Sequence, residues 1–207
     1  MGGNGSTVEC SDEEEGNSDN DTAWEDIDDE QSDYWLRVPD MLGKRCGHCS
    51  VTCFDDSILT MGGYAGETEY LSSAERYDPV RELWSPLPCM RSVRSGAVAA
   101  LGPQGGCYVV GGSIDGTIGV NGVEMYDLRE GLWHALPSLQ HARGYLAGCI
   151  GRGEQLFVSG GLHCHQMVAS IEVMDMRMNT WRLLEMEGDL HRSNENLSRA
   201  CHQMFLT

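Results

Sequence analysis

Positive charge is scarce in this chain: its 207 residues carry 14 Lys and Arg against 32 Asp and Glu, a formal net charge of -18. Phosphate contacts need clustered Lys and Arg, so nucleic acid is excluded as the partner. Long hydrophobic runs are missing as well. None spans a membrane, and the start lacks the basic-then-apolar order of a signal peptide. The expectation is an intracellular protein, cytoplasmic and also nuclear, that does not engage a membrane. Catalytic signatures are equally thin, with no Gly-x-Ser-x-Gly elbow, no glycine-rich phosphate loop ending in Lys-Ser or Lys-Thr, and no His-Glu-x-x-His. A non-enzyme without a cofactor or metal is expected.

The negative charge is concentrated at one end. From Met1 to Asp33 there are thirteen Asp and Glu and no Lys or Arg, leaving only about -5 on residues 34–207. Rich also in Gly, Ser and Asn, residues 1–31 cannot bury enough apolar surface to fold and read as a disordered acidic tail. Within it, Ser11-Asp12-Glu13-Glu14 has the form of an acidophilic-kinase site, which makes Ser11 a phosphorylation candidate. Met1-Gly2-Gly3-Asn4-Gly5-Ser6 fits a loose myristoylation pattern with Cys10 as a second acyl site, but so acidic a tail is repelled by anionic lipid.

What is abundant is repetition. Trp35, Trp84, Trp133 and Trp181 step by 49, 49 and 48 residues, and Gly62-Gly63, Gly111-Gly112 and Gly160-Gly161 lie 49 apart. A unit of that length cannot bury its own apolar face, so units must stack to make a core. Aligned on the glycine pairs, the units read RCGHCSVTCFDDSILTMGG from Arg45, RSGAVAALGPQGGCYVVGG from Arg94 and RGYLAGCIGRGEQLFVSGG from Arg143. Each continues to a glutamate and an aromatic or methionine before aspartate: Glu75 with Tyr77-Asp78, Glu124 with Tyr126-Asp127, Glu172 with Met174-Asp175. The tryptophan follows.

Short apolar runs separated by Gly, Pro, Asn and Asp, with no helical period between them, predict four short antiparallel strands per unit. Leu59–Met61, Cys107–Val110 and Leu156–Val158 run apolar into the glycine pairs, as strands buried on both faces do. The pairs then suit positive φ or close approach to the next unit. Prolines in Ser85-Pro86-Leu87-Pro88 and Ala135-Leu136-Pro137 put the tryptophan strand at an outer edge. Radial stacking of such sheets is an all-β propeller.

The order of glycine pair, Tyr-Asp and tryptophan resembles the Kelch repeat, over about Ser32 to Thr207. The resemblance implies a Kelch-type β-propeller domain over 32–207, with three full four-stranded blades at about 43–89, 92–138 and 141–186. Gly62, Gly63, Tyr77, Trp84, Gly111, Gly112, Tyr126, Trp133, Gly160, Gly161 and Trp181 are its structural repeat positions. Partial strands flank the blades: Tyr34 to Pro39 looks like an isolated tryptophan strand, and Arg199-Ala200-Cys201-His202 matches the Arg45–His48 opening. Propellers have about four to eight blades. Closure would need the two strands to join as a thin fourth blade or blades from another chain, as in a homo-oligomer; otherwise the sequence is a piece of a longer protein.

Nine cysteines include Cys46-Gly47-His48-Cys49, letter for letter a disulfide isomerase motif. That chemistry needs a helix N-terminus, whereas here the residues open a strand, in which positions three apart point to opposite faces. The same alternation scatters Cys46, Cys49, Cys53 and His48 as zinc ligands, leaving the His163-Cys164-His165 loop as the remaining metal candidate.

Strand direction indicates where partners bind. In each unit the first strand starts and the second ends at one edge, which collects Arg45, Arg94, Arg143 and Arg199 with Ser95, Tyr64, Ser113 and the His163 loop. Each arginine either holds a carboxylate-bearing peptide bidentately or pairs with its own blade's aspartate or a carbonyl. The resemblance implies a protein or acidic peptide as partner, since Kelch domains that capture acidic degron peptides use arginines and serines at these positions. Arg94-Ser95-Gly96 matches such an opening most closely. An insertion at Glu185–Ser198 lengthens the last arginine spacing, and the acidic tail is a conceivable competitor for the arginine ring. The implied role is substrate recognition for cullin-type ubiquitin ligation, although the BTB and BACK regions are not part of this sequence. The alternatives are an actin or scaffold adaptor and, distantly, a propeller oxidase.

Overall fold

The computed structural model describes residues 36–66 and 68–184. All the blades lie in the unit that begins at Pro39. In chain order they comprise β1 (Cys49–Thr52), β2 (Ile58–Met61), a short hairpin of β3 (Tyr64–Ala65) and β4 (Glu69–Tyr70), β5 (Ala74–Asp78) and β6 (Leu83–Leu87). The second blade follows with β7 (Val98–Leu101), β8 (Gly106–Val110), β9 (Val123–Asp127) and β10 (Leu132–Leu136). The third has β11 (Ala147–Gly151), β12 (Gln155–Ser159), the hairpin β13 (Leu162–His163) and β14 (Gln166–Met167), β15 (Ile171–Asp175) and β16 (Thr180–Leu184). Each blade is a four-stranded antiparallel sheet in sequence order, β1-β2-β5-β6, β7-β8-β9-β10 and β11-β12-β15-β16. This is the three-bladed Kelch-type array expected from the repeat.

Register explains why the repeat has the letters it has. Tyr77 pairs with Trp84, Tyr126 with Trp133 and Met174 with Trp181, so the aromatic or methionine is the tryptophan's cross-strand neighbour. Both Tyr-Trp ring pairs lie 5.1 Å apart. The aspartate beside it shapes the turn to the last strand. Asp78 Oδ1 accepts from the amides of Val80 and Arg81, Asp127 Oδ1 from Arg129 and Glu130, and Asp175 Oδ1 from Arg177 and Met178. Hydrogen bonds from Arg129 and these amides hold the Asp127 carboxyl down at about 2.

The second strands carry the core. Leu59, Met61, Cys107, Val109, Val110, Leu156 and Val158 are all buried, while Phe157 is half-buried. One apolar cluster joins the first and second blades through Met61, Met90, Cys107 and Tyr126; another joins the second and third through Tyr108, Val110, Leu139 and Leu156. Burial of each such side chain contributes about 1.5–3 kcal/mol.

Two polar staples join neighbouring units. The glycine pairs all have positive φ, and Gly63 N donates to Arg94 O and Gly112 N to Arg143 O, each at 2.9 Å, across blades. The approach is too close for a side chain: a methyl group on Gly111 would lie 2.7 Å from Arg143 O. The second staple comes from the tryptophans. Trp133 Nε1 donates to Pro88 O at 2.7 Å and Trp181 Nε1 to Pro137 O at 2.8 Å, from one outer strand to the end of the previous one. Trp84 makes the same bond to Pro39 O at 2.9 Å, although residues 36–39, the described part of the expected leading tryptophan strand, are not in a strand. Residues 1–35, the Glu185–Ser198 insertion and the Arg199 opening lie outside the described residues.

Candidate functional site: the loop face

The arginines proposed for partner contact are inside the blades. Arg94 and Arg143 are 1% and 0% exposed, and Arg45 is 9% exposed. Arg94 Nη1 donates to Gly111 O and Gly122 O, both at 2.9 Å, and Nη2 to Ser92 Oγ at 2.7 Å and Glu124 Oε1 at 2.6 Å. Arg143 repeats this with Gly160 O at 3.0 Å, Ser170 O at 2.8 Å, Ser170 Oγ at 2.7 Å and Glu172 Oε1 at 2.8 Å. Arg45 does so with Gly62 O, Ser73 and Glu75. Of the two alternatives for these arginines, the structure takes the internal one, with the repeat's glutamate in place of an aspartate.

The reason is geometric. The glycine-pair carbonyl and the carbonyl just before the third strand both point at one guanidinium, and only a planar fork of donors satisfies them together with a carboxylate. The glutamate's remaining capacity caps the incoming chain. Leu42 N donates to Glu75 Oε2 at 2.7 Å, Arg91 N to Glu124 Oε2 at 2.8 Å and Gln140 N to Glu172 Oε2 at 2.7 Å. Burial lowers the affinity of Arg94 and Arg143 for their protons, and the glutamates oppose this. The expected acidic-peptide contacts, and competition by the tail for the same ring, rested on guanidinium donors that these networks already use.

Ser95 and Ser113 are likewise buried, exchanging backbone bonds of 2.9 and 2.7 Å, with Ser113 Oγ donating to Ile118 O at 3.0 Å. His163 reaches the surface partly: its Nδ1 lies 3.1 Å from Gly119 O, which places the proton there, and Cys164 Sγ is 3.5 Å from Nε2. Arg199 lies outside the described residues. Of the eight partner-binding candidates, Tyr64 and His163 are the ones that the structure leaves on the accessible loops.

Residues missed from the sequence complete that surface. Tyr64 and Tyr70 face each other across the β3-β4 hairpin with ring centroids 5.9 Å apart. The loop after β8 brings Ile114, Asp115 and Ile118, all exposed, and Tyr145 stands beside them, 49% exposed. The elements are tied together in order along the face. Gly116 sits where a methyl group would be 2.8 Å from Tyr70 Oη and 3.6 Å from Tyr145 Oη, and Cys164 N donates to Thr117 O at 3.0 Å. Asp115 Oδ1 accepts from Thr117 N at 2.8 Å and Ile118 N at 2.6 Å, which lowers its carboxyl from the usual value. Partial desolvation, with Tyr145 and Asp115 nearby, raises the Tyr70 hydroxyl, and the Cys46 thiol raises that of Tyr64. At neutral pH Tyr64 and Tyr70 therefore present neutral phenols beside the Asp115 carboxylate.

The Cys46-Gly47-His48-Cys49 motif has no dithiol character. Cys49 is buried in β1 with its thiol 3.6 Å from Met61 O, and burial pushes it up to about 12, while Cys46 is exposed. Iodoacetamide at pH 8 is expected to label Cys46, Cys89 and Cys164 in the folded chain and to spare Cys49 and Cys107. Mass spectrometry of tryptic peptides checks this; equal labelling of Cys46 and Cys49 would contradict the strand assignment. Among the described residues, no three His, Cys, Asp or Glu side chains converge as a metal site.

The blades and their loop face define a β-propeller interaction module. The chain belongs to the Kelch-repeat family, as its residues 2–207 match the KLHDC2/KLHL20/DRC7 Kelch-repeats domain. Domains of this family are generally non-enzymatic and bind proteins. No curated protein matches the sequence.

Proposed function

We propose that this chain recognises protein substrates for a cullin-type ubiquitin ligase, in the cytoplasm and nucleus, and that it does so with the loop face of its blades. The observation that carries the reading is the cluster of half-buried Tyr64 and Tyr70 with exposed Tyr145 on loops cross-tied between blades. Tyrosine supplies large contact area at low conformational entropy loss and is enriched in interface hot spots. Rigid strands beneath reduce the ordering entropy that binding would otherwise lose. Recruitment of the ligase would rest on a segment or protein other than these blades.

Affinity purification from cells is the test. The wild-type chain is expected to recover a cullin together with ubiquitylated proteins, and Tyr145→Gly to lose the ubiquitylated proteins while keeping the cullin. Co-sedimentation with actin filaments and no cullin would replace this reading with that of a cytoskeletal adaptor.

A further inference from the structure

Tyr145 occupies a position where the first two blades have glycine. Arg143-Gly144-Tyr145 aligns with Arg45-Cys46-Gly47 and Arg94-Ser95-Gly96, and all three third residues are left-handed, at φ 61 for Gly47, 56 for Gly96 and 55 for Tyr145. They form a series across blades, with Gly96 N donating to Gly47 O and Tyr145 N to Gly96 O, both at 2.7 Å. That backbone requires a left-handed residue, for which a bulky side chain is poorly suited. The ring lies against Gly96, where a methyl group would come within 2.6 Å of it, yet half of the residue remains in solvent. Strain held by an exposed aromatic, where glycine would relax it, points to a side chain kept for contact.

The surroundings specify the contact's chemistry. The Tyr70 and Tyr145 hydroxyls converge on Gly116, Tyr64 rests on Gly47 as Tyr145 does on Gly96, and Asp115 adds an exposed carboxylate beside them. Ile114 and Ile118 give an apolar margin. We propose that this tyrosine cluster with Asp115 is a receptor for an arginine or lysine side chain displayed by a protein partner. The proposal rests on the loop-face reading above and gives that partner its chemistry. Aromatic faces attract cations, a guanidinium also stacks on them, and Asp115 supplies the counter-charge. The formal charge of -18 on the whole chain steers a basic segment inward and repels an acidic one. The arginines that would have favoured an acidic peptide are meanwhile neutralised within the blades.

The test uses the full chain and two fluorescein-labelled dodecapeptides of alternating sequence, Arg-Gly and Glu-Gly, followed by anisotropy at 150 mM salt. The Arg-Gly peptide is expected to bind and the Glu-Gly peptide not to. Tyr145→Gly restores the residue of the sister blades and is expected to keep the melting temperature while weakening Arg-Gly binding about tenfold. Asp115→Asn retains the Oδ1 acceptor of its turn and is expected to weaken binding about threefold and to flatten its salt dependence. Unchanged Arg-Gly affinity in both variants would mean that the acidic tail alone attracts the peptide, and the proposal would fall. Preference for Glu-Gly, lost in Tyr145→Gly, would overturn the charge assignment but leave the loop face as the binding surface. If Tyr145→Gly alters neither peptide binding nor recovery of ubiquitylated proteins, the loop-face reading falls as well.

Discussion

Arg94→Met is expected to destabilise the protein by about 3–5 kcal/mol, because it strands a buried carboxylate and two buried carbonyls that share one guanidinium. Glu124, Gly111 O and Gly122 O all accept from Arg94, and Glu124 is 3% exposed. Arg94→Met with Glu124→Gln is expected to recover roughly half of the loss. The amide oxygen can still accept from Arg91 N, now 2.8 Å from the carboxylate, and the buried negative charge that the single change leaves without its guanidinium is removed. Urea unfolding of wild type, both single variants and the double variant measures the coupling. Were Arg94 instead a ligand-facing residue, Arg94→Met would leave the unfolding midpoint within about 0.5 kcal/mol, as exposed surface changes do.

The strands were legible in the sequence and the arginines were not, for the same physical reason. Apolar period and turn residues report local geometry, so Leu59–Met61, Cys107–Val110 and the glycine pairs announced β2, β8 and their left-handed ends directly. An arginine next to a strand end is consistent with both sides of the blade edge. What decided its direction was Glu75, Glu124 or Glu172, about 30 residues on and also invariant among the three units. Reading arginine and glutamate as one repeated pair, rather than glutamate as a spacing mark, would have placed both inside. Tyr145 had a signal of its own. A tyrosine aligned with two glycines marks a left-handed position occupied at a conformational penalty. Tyr70 and Asp115 had none, because their convergence depends on how the loops of adjacent blades cross, which no interval along the chain encodes.

Gly111→Ala carries the other large effect expected, and its size separates blade docking from backbone strain. The residue has φ 63, for which any side chain loses about 1–2 kcal/mol. Its added methyl would also lie 2.7 Å from Arg143 O and 3.1 Å from Leu146, so the third blade's opening must move away. That movement stretches the bond from Gly112 N to Arg143 O, now 2.9 Å, whose loss adds about 1 kcal/mol. The sum expected is about 3 kcal/mol. Gly105→Ala is the control: it also has positive φ, 84, but a methyl group there meets nothing within 4 Å, so about 1–2 kcal/mol of strain is all that it should show. Because stability in stacked repeats is a sum of unit and neighbour terms, Gly111→Ala should also broaden the unfolding transition, whereas Gly105→Ala should shift it without broadening. Equal destabilisation by the two variants, with equally sharp transitions, would show that the glycine pair serves its own turn and not the union of blades.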